Sequence, residues 1–491
     1  MLGMTVVACT PPASDRRVTT TDTPSNPAET SLLAGANHLD WSPCGAGLQC
    51  STLIVPKDDE APSAGSITLF LKRRPASSPD QRIGSLLVNP GGPGVPGTDL
   101  VDHAVGAFDH RLLERFDIVG WDPRGTGQSG QIVCADDLDP YFALDPVTST
   151  DAGRAALAEA AERFAHACEQ RNGDLLPYVS TVATARDMER IRRALGEDRI
   201  SYFGASYGSE LGALWLTMFP KTVRAAVLDG VVDPNADAAS TTRYEASGLE
   251  GALDAMLARC ADDPSCPIYE SGHPDQVFDR VMTSLETAPV PVAEAPQRPA
   301  INRGMAALGI TGALYDETRW PSALSALASL ERGNAKPMLD LYDSFLTLDG
   351  RFPHLYDALL AVSCLDDPGP TDAAGLAELQ RQALAAAPRM GRSAVGVPFC
   401  AHWPVRGKPF PKVTGHGARP VLVIATTGDP ILPAGAPAAA SLAGSLEHAV
   451  LVTATANRHT GYRTSTCVDG AVDAYLIELT VPSQAIMCGS G

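Results

Sequence analysis

Seven short apolar runs constrain this chain more than any other feature. Residues 67–71, 85–89, 116–122, 200–203, 223–228, 421–426 and 449–453 are mostly β-branched or aliphatic and are bounded by Gly or Pro. Runs of that length and composition read as strands buried on both faces. Helical stretches separate them, as at 151–171 and 183–195, and strands alternating with helices build a mostly parallel sheet covered on both sides. The rhythm stops after about Asp237 and resumes after about Pro404. The segment between reads as helices, including 245–261, 277–285 and 320–330, with Pro-rich joints such as 288–299. The simplest architecture is an α/β core with a helical insertion over the carboxyl edge of the sheet, where ligands bind in such folds. The expected divisions are a leader and tether (1–38), the first part of the core (39–239), a helical lid (240–405) and the rest of the core (406–491).

One motif brings chemistry to this frame. Gly204-Ala205-Ser206-Tyr207-Gly208 has the G-x-S-x-G form of a nucleophile elbow, in which a serine occupies a strained turn between strand and helix. In a chain with 44 glycines among 491 residues, the pattern arises by chance with a probability of roughly a quarter, so its context decides. Ile200, Ser201, Tyr202 and Phe203 precede it as a strand. Leu211, Leu214, Trp215, Met218 and Phe219 follow at helical spacing. Ser206 therefore stands on the strand–turn–helix that the α/β-hydrolase fold requires.

A serine hydroxyl is a weak nucleophile until a histidine takes its proton, and the histidine needs an acid to hold its tautomer. In this fold the chain order is serine, acid, histidine. Of ten histidines, only His448 and His459 lie beyond Pro420. His448 precedes the strand 449–453, whereas His459 follows it and so reaches the carboxyl edge. Two acids end strands after the nucleophile. Asp229 is followed by Gly-Val-Val-Asp-Pro-Asn and reads as part of the turn that opens the insertion, whereas Asp429, in Thr-Gly-Asp-Pro, lies one strand before His459. The expected triad is Ser206, Asp429 and His459. For the oxyanion, the loop Asn89-Pro90-Gly91-Gly92-Pro93-Gly94 follows a strand. Its prolines have no N–H to donate, which points to the Gly92 amide paired with that of Tyr207. No Lys follows the loop, against a phosphate-binding reading. Asp122-Pro123-Arg124-Gly125-Thr126-Gly127 reads as loop-shaping.

The balance of 38 Lys and Arg against 57 Asp and Glu gives a net charge of −19, which repels nucleic acid and anionic membranes. No run of 18 or more apolar residues occurs, the length that a membrane-spanning helix needs. The eleven cysteines lack the spacing of zinc sites, and neither a metal nor a cofactor is expected. Val6-Val7-Ala8-Cys9 reads as a lipobox whose cysteine is lipidated, although the residues before it lack a basic n-region and suit a truncated signal peptide. Residues 10–36, rich in Pro, Ser, Thr and Asp, suit a tether. Pairing the other ten cysteines with their neighbours in sequence gives Cys44–Cys50, Cys134–Cys168, Cys260–Cys266, Cys364–Cys400 and Cys467–Cys488. An even remainder of this kind suits an oxidising compartment, and the expectation is an exported monomer, either secreted or held at the cell envelope through Cys9.

With Asn-Pro-Gly-Gly-Pro-Gly, Trp-Asp-Pro-Arg-Gly-Thr-Gly, Gly-Ala-Ser-Tyr-Gly, Thr-Gly-Asp-Pro and His459 in order, the chain resembles the secreted bacterial tripeptidyl aminopeptidases, relatives of proline iminopeptidase within the α/β-hydrolases. The resemblance runs from Trp41 to Cys488, and Cys467 to Val472 with Ala474, Tyr475 and Leu476 look like that family's carboxyl-terminal module. It implies triad roles for Ser206, Asp429 and His459, oxyanion amides from Gly92 and Tyr207, and a peptide substrate approached from its amino end. Ala205 and the Asn-Arg-His-Thr-Gly histidine loop depart from the pattern, so pocket shape does not carry over. An aminopeptidase must stop its substrate's ammonium group, for which Glu245 and Glu250 on the first helix of the insertion are the candidates. A lipase or esterase of the same fold is the alternative, because fold and triad are shared and the lid sets the substrate. A cell-surface binding protein with a vestigial triad is a further, non-enzymatic one.

Overall fold

In a computed structural model, residues 38–148, 150–346, 353–408, 410–431 and 437–489 are described. The lipobox at Cys9 and the tether at 10–36 lie outside them.

Ten strands form one sheet: β1 (Ser42–Pro43), β2 (Gln49–Pro56), β3 (Ser66–Arg74), β4 (Gly84–Asn89), β5 (Phe116–Trp121), β6 (Ile200–Ala205), β7 (Val223–Asp229), β8 (Val421–Thr426), β9 (Ala449–Ala454) and β10 (Ile486–Cys488). Their order is β1-β2-β3-β5-β4-β6-β7-β8-β9-β10. From β5 onward every pairing is parallel, and β1, β2 and β3 form an antiparallel edge. All seven expected strands are present. The hairpin partner β2 was not expected. It alternates Ser51, Leu53 and Val55 inward with exposed residues between, a one-sided pattern unlike the doubly buried runs.

The central strands supply two cores at once, because successive side chains point to opposite faces. Leu87, Val119, Tyr202, Leu228 and Val423 join one hydrophobic cluster. Their neighbours Leu86, Ile118, Phe203, Val227 and Leu422 join another on the far face. All six residues of β4, β5 and β8 are buried, which explains why these strands read as continuous apolar runs.

Between β7 and β8 the chain is helical. The helices include Ala238–Ala261, Pro274–Thr287, Arg303–Leu314, Trp320–Glu331, Lys336–Leu346, Leu355–Asp366 and Ala373–Ala386. The first five enclose their own apolar cluster, with Leu253, Met256, Phe278, Ile310, Leu327 and Tyr342 at its centre, whereas Leu355–Asp366 packs into the core on one face of the sheet through Ala361, Val362 and Leu365. The first helix begins earlier than its apolar periodicity does. Asp237 caps it by accepting from the Ser240 N–H, and the Ala-, Ser- and Thr-rich first turns then need no buried stripe.

Five disulfides close with the pairing expected from sequence, at Cα separations between 4.1 and 5.7 Å. Cys467–Cys488 ties the helix Thr466–Glu478 to β10. The buried Tyr475 of that helix accepts from the Ala226 N–H at 3.0 Å, which fastens the carboxyl-terminal segment to the middle of the sheet. The 122–127 motif shapes loops: Arg124 is buried and forks onto Asp187 at 2.8 Å through two nitrogens, and Asp122 accepts from Thr98 and Gln128. Among the described residues no helix is long and apolar enough to cross a membrane.

Candidate active site

Ser206 follows β6 directly and caps the helix Tyr207–Met218 at φ 55° and ψ −128°. An L-residue holds that conformation at a cost of about 1–3 kcal/mol, and only where its surroundings leave no alternative. The surroundings here are tight. The Ser206 N–H donates to the carbonyl of Asp229 at 2.8 Å. A Cβ at Gly208 would lie 2.6 Å from the Asn89 carbonyl oxygen, and one at Gly91 would lie 2.8 Å from the Cβ of Ser206. The elbow and the Asn89–Gly94 loop are therefore in contact through their glycines. The Gly91 N–H is already taken by the Asn89 side chain at 3.0 Å, whereas the amide of the adjacent Gly92 is not held by it. Tyr207, first in its helix, has no intrahelical acceptor for its N–H.

Asp429 follows β8 and His459 follows β9, and both side chains are almost fully buried. His459 Nδ1 lies 2.9 and 3.1 Å from the two carboxylate oxygens of Asp429, which also accept the Ile431 N–H at 2.8 Å. An Nδ1–H donated to Asp429 leaves the Nε2 lone pair able to accept a proton. His459 Nε2 is buried with no hydrogen-bond partner among the described residues, so it is not bonded to Ser206 in this state. Catalytic hydrogen bonds of this kind often close only with substrate present. Burial opposes the imidazolium, but Asp429, with Asp229 and Glu245 also contributing, outweighs it and raises the histidine's pKa. His448 lies at the start of β9, at the far end from the site, with its side chain 58 % exposed.

The histidine loop is gripped from several directions. The insertion touches it through three consecutive residues: the His459 N–H donates to the Tyr315 carbonyl at 3.0 Å, Asp316 bridges Arg458, and the Glu317 N–H donates to the Asn457 carbonyl at 3.0 Å. The Tyr315 ring stands edge-on to the imidazole, with centroids 5.3 Å apart. From the sheet, Thr426 Oγ1 donates to the Arg458 carbonyl, and the buried Asp229 carboxylate accepts from Gly461 and Tyr462 at 2.7 and 2.9 Å. The sequence reading of Asp229 as part of a turn missed this second attachment. Nothing in the sequence marks Tyr315.

The two glutamate candidates separate. Glu250 accepts from the Arg389 and Met390 N–H groups at 3.1 and 2.9 Å, and so joins two segments of the insertion. Glu245 has no hydrogen bond or ion pair of its own among the described residues. It acts electrostatically on His459 and Tyr315, and burial pushes its carboxyl up to about 7. Among the described residues no cluster of three or more His, Cys, Asp or Glu could hold a metal ion.

Together, a strained serine, a buried Asp–His pair on adjacent strand ends and two main-chain amides can carry out acyl transfer. Comparison with known proteins agrees with that chemistry. Residues 84–273 match the family model described as alpha/beta hydrolase fold, and residues 387–488 match the one described as TAP-like protein. The serine protease Hip1 of Mycobacterium tuberculosis is 34% identical over 481 residues, spanning 92% of this chain and 91% of that protein. Carboxylesterase B of Mycobacterium tuberculosis is 34% identical over 458 residues, 90% of this chain and 86% of that protein. A tripeptidyl aminopeptidase of Streptomyces lividans is 38% identical over 210 residues, about two fifths of either chain. With its sheet order, strand-end site and near full-length relatives, the chain belongs to the TAP-like family of α/β-hydrolase-fold proteins, alongside the Hip1 serine protease and the Streptomyces tripeptidyl aminopeptidase.

Proposed function

We propose that this protein is an exported serine peptidase that releases short peptides, tripeptides in the first instance, from the amino terminus of its substrates. Ser206 Oγ attacks the scissile carbonyl while His459 Nε2 takes the hydroxyl proton, and the Gly92 and Tyr207 amides receive the oxyanion. The imidazolium, held by Asp429, passes the proton to the leaving amine. Water then attacks the acyl ester as His459 takes its proton, and His459 returns that proton to Ser206 Oγ as the peptide acid leaves. The observation that carries this reading is the buried, unpartnered Nε2 of a histidine whose Nδ1 is bound to Asp429. That is a base with its lone pair kept for a reacting group.

Glu245 supports the restriction to a free amino terminus. A partly buried carboxylate with no cation of its own among the described residues pairs with an ammonium group, and the missing pair is costly when that group is absent. The helical insertion, residues 240–405, is assigned as the roof of this pocket. Five disulfides support an oxidising compartment, and lipidation at Cys9 would hold the protein at the envelope.

Similarity to a carboxylesterase supports the second reading, an esterase on the same triad. The test compares a tripeptide amide with its N-acetylated form and with short acyl esters. The free amine is expected to be preferred by at least about tenfold, the ratio given by one lost charge-assisted contact of ~1.5–3 kcal/mol. Equal rates for both amides would reject the aminopeptidase reading, and fast ester hydrolysis alone would favour the esterase.

A further inference from the structure

We infer that Asp229, outside the triad, is a positioning residue that sets the distance between nucleophile and base. The inference rests on the roles proposed for Ser206 and His459. Asp229 ends β7, the strand lying between β6, which leads to the serine, and β8, which leads to the triad acid. It pairs in register with Ala205 on one side and Ile424 on the other. Its two halves hold two different catalytic elements. The main-chain carbonyl accepts the Ser206 N–H at 2.8 Å. The carboxylate, 1% exposed, accepts Gly461 at 2.7 Å through one oxygen and Tyr462 at 2.9 Å through the other. One residue thus spans from the amide of the nucleophile to the backbone two residues beyond the base.

The next residue closes the junction. The Gly230 N–H donates to the Ile424 carbonyl at 3.1 Å, and a Cβ at Gly230, whose φ is +63°, would lie 2.7 Å from the His459 carbonyl oxygen. The histidine loop is packed against the end of β7 with no room to slide. Two N–H donors on one carboxylate are charge-assisted bonds, shorter and stronger than neutral ones. They oppose the pull of Tyr315 and Asp316 from the insertion side. A displacement of about 1 Å between reacting groups can cost roughly a hundredfold in rate, so an anchor at this point acts on turnover more than on binding. The charged and titratable groups around the junction are Asp229, Asp429, His459 and Glu245, with the Tyr315 phenol beyond them.

The test is Asp229→Asn in the full-length enzyme. The amide matches the carboxylate in shape, but its NH2 must face one of two N–H donors, so one bond becomes a repulsion. The expected result is a fall in kcat of about tenfold to a hundredfold with KM little changed. Fluorophosphonate labelling of Ser206 should slow in parallel. The acid limb of the kcat/KM profile should move to lower pH, because one of the anions that raises the pKa of His459 has been neutralised. A fall in melting temperature with kcat and the acid limb unmoved would make Asp229 purely structural and overturn the inference. If the variant does not fold, the wild type still decides: in protein labelled with 15N-tyrosine, the Tyr462 amide should titrate with an acidic group separately from His459, and a Tyr462 amide indifferent to pH between 4 and 7 would overturn it. Should Ser206→Ala remain active, the triad itself would be wrong. Should Ser206→Ala be inactive while Asp229→Asn behaves as wild type, only the positioning role falls.

Discussion

The proposed nucleophile and the proposed base are held by different kinds of structure. Ser206 is fixed by main chain: a strand on one side, a helix on the other, glycines pressed against the turn and a backbone bond to Asp229. His459 stands on a loop, and what holds it comes from far away in sequence: Tyr315 and Asp316 from the insertion, and Asp229, Thr426 and Asp429 from strand ends. The sheet alone can build the elbow, whereas the His459 loop is held by the insertion as well. The insertion is thereby part of the site's frame, because a segment that contributes a hydrogen bond to the His459 amide cannot lift away at that point without loosening the imidazole.

The largest effect should come from separating the two late histidines. His459→Ala removes the base and should lower kcat/KM by about a thousandfold or more. His448→Ala, at the opposite end of β9, should leave activity at the wild-type level. Steady-state kinetics on one tripeptide amide reads both, and comparable losses would mean that the grip on the His459 loop does not select the base.

Next in size is the contrast between Glu245 and Glu250 on one helix. Glu245→Gln should raise KM for free-amine peptides by about tenfold or more and leave N-acetylated substrates unaffected. The sign with pH follows from the raised carboxyl: Glu245 ionises around pH 7, while a peptide amine keeps its charge up to about 7.7–8.0, so the preference for a free amine should grow from pH 6 to pH 7 in the wild type and stay flat in the variant. Glu250→Gln weakens two contacts to backbone N–H groups. It should cost ~1 kcal/mol of stability, read by chemical denaturation, without changing that preference.

The smallest effect concerns the elbow's helix. Burial, with Asp366, Asp367 and Asp233 nearby, pushes Glu210 up to about 8. A carboxyl whose pKa is higher folded than unfolded makes the fold less stable as pH rises between the two values. Glu210→Gln should match the wild-type melting temperature at pH 4.5 and exceed it by at least about 2 °C at pH 8.5. A variant no more stable at the higher pH would show that Glu210 is solvated.

Much of this was legible in the sequence where the cause is local. Doubly buried strands such as Leu86–Val88 and Val421–Ala425 announce themselves because both faces must be apolar, and the elbow does so because a strained turn demands glycines. Cysteine pairs close in sequence met their neighbours. β2 escaped notice because only alternate residues are buried, and the first helix of the insertion escaped its true start because a side-chain cap replaces apolar periodicity there. Tyr315 and the bond from Asp229 to Gly461 were not legible at all. They join positions more than a hundred residues apart, and no spacing rule connects them. Glu245 and Glu250 looked equivalent on a helical repeat, and what distinguishes them is the backbone of Arg389 and Met390 beside one and His459 near the other.

The most direct measurement of the central claim is active-site labelling with a fluorophosphonate followed by peptide mapping of the adduct. A single adduct on Ser206 is expected, abolished in Ser206→Ala and slowed by orders of magnitude in His459→Ala, with circular dichroism unchanged in both. An adduct on another residue, or labelling that persists in Ser206→Ala, would contradict it.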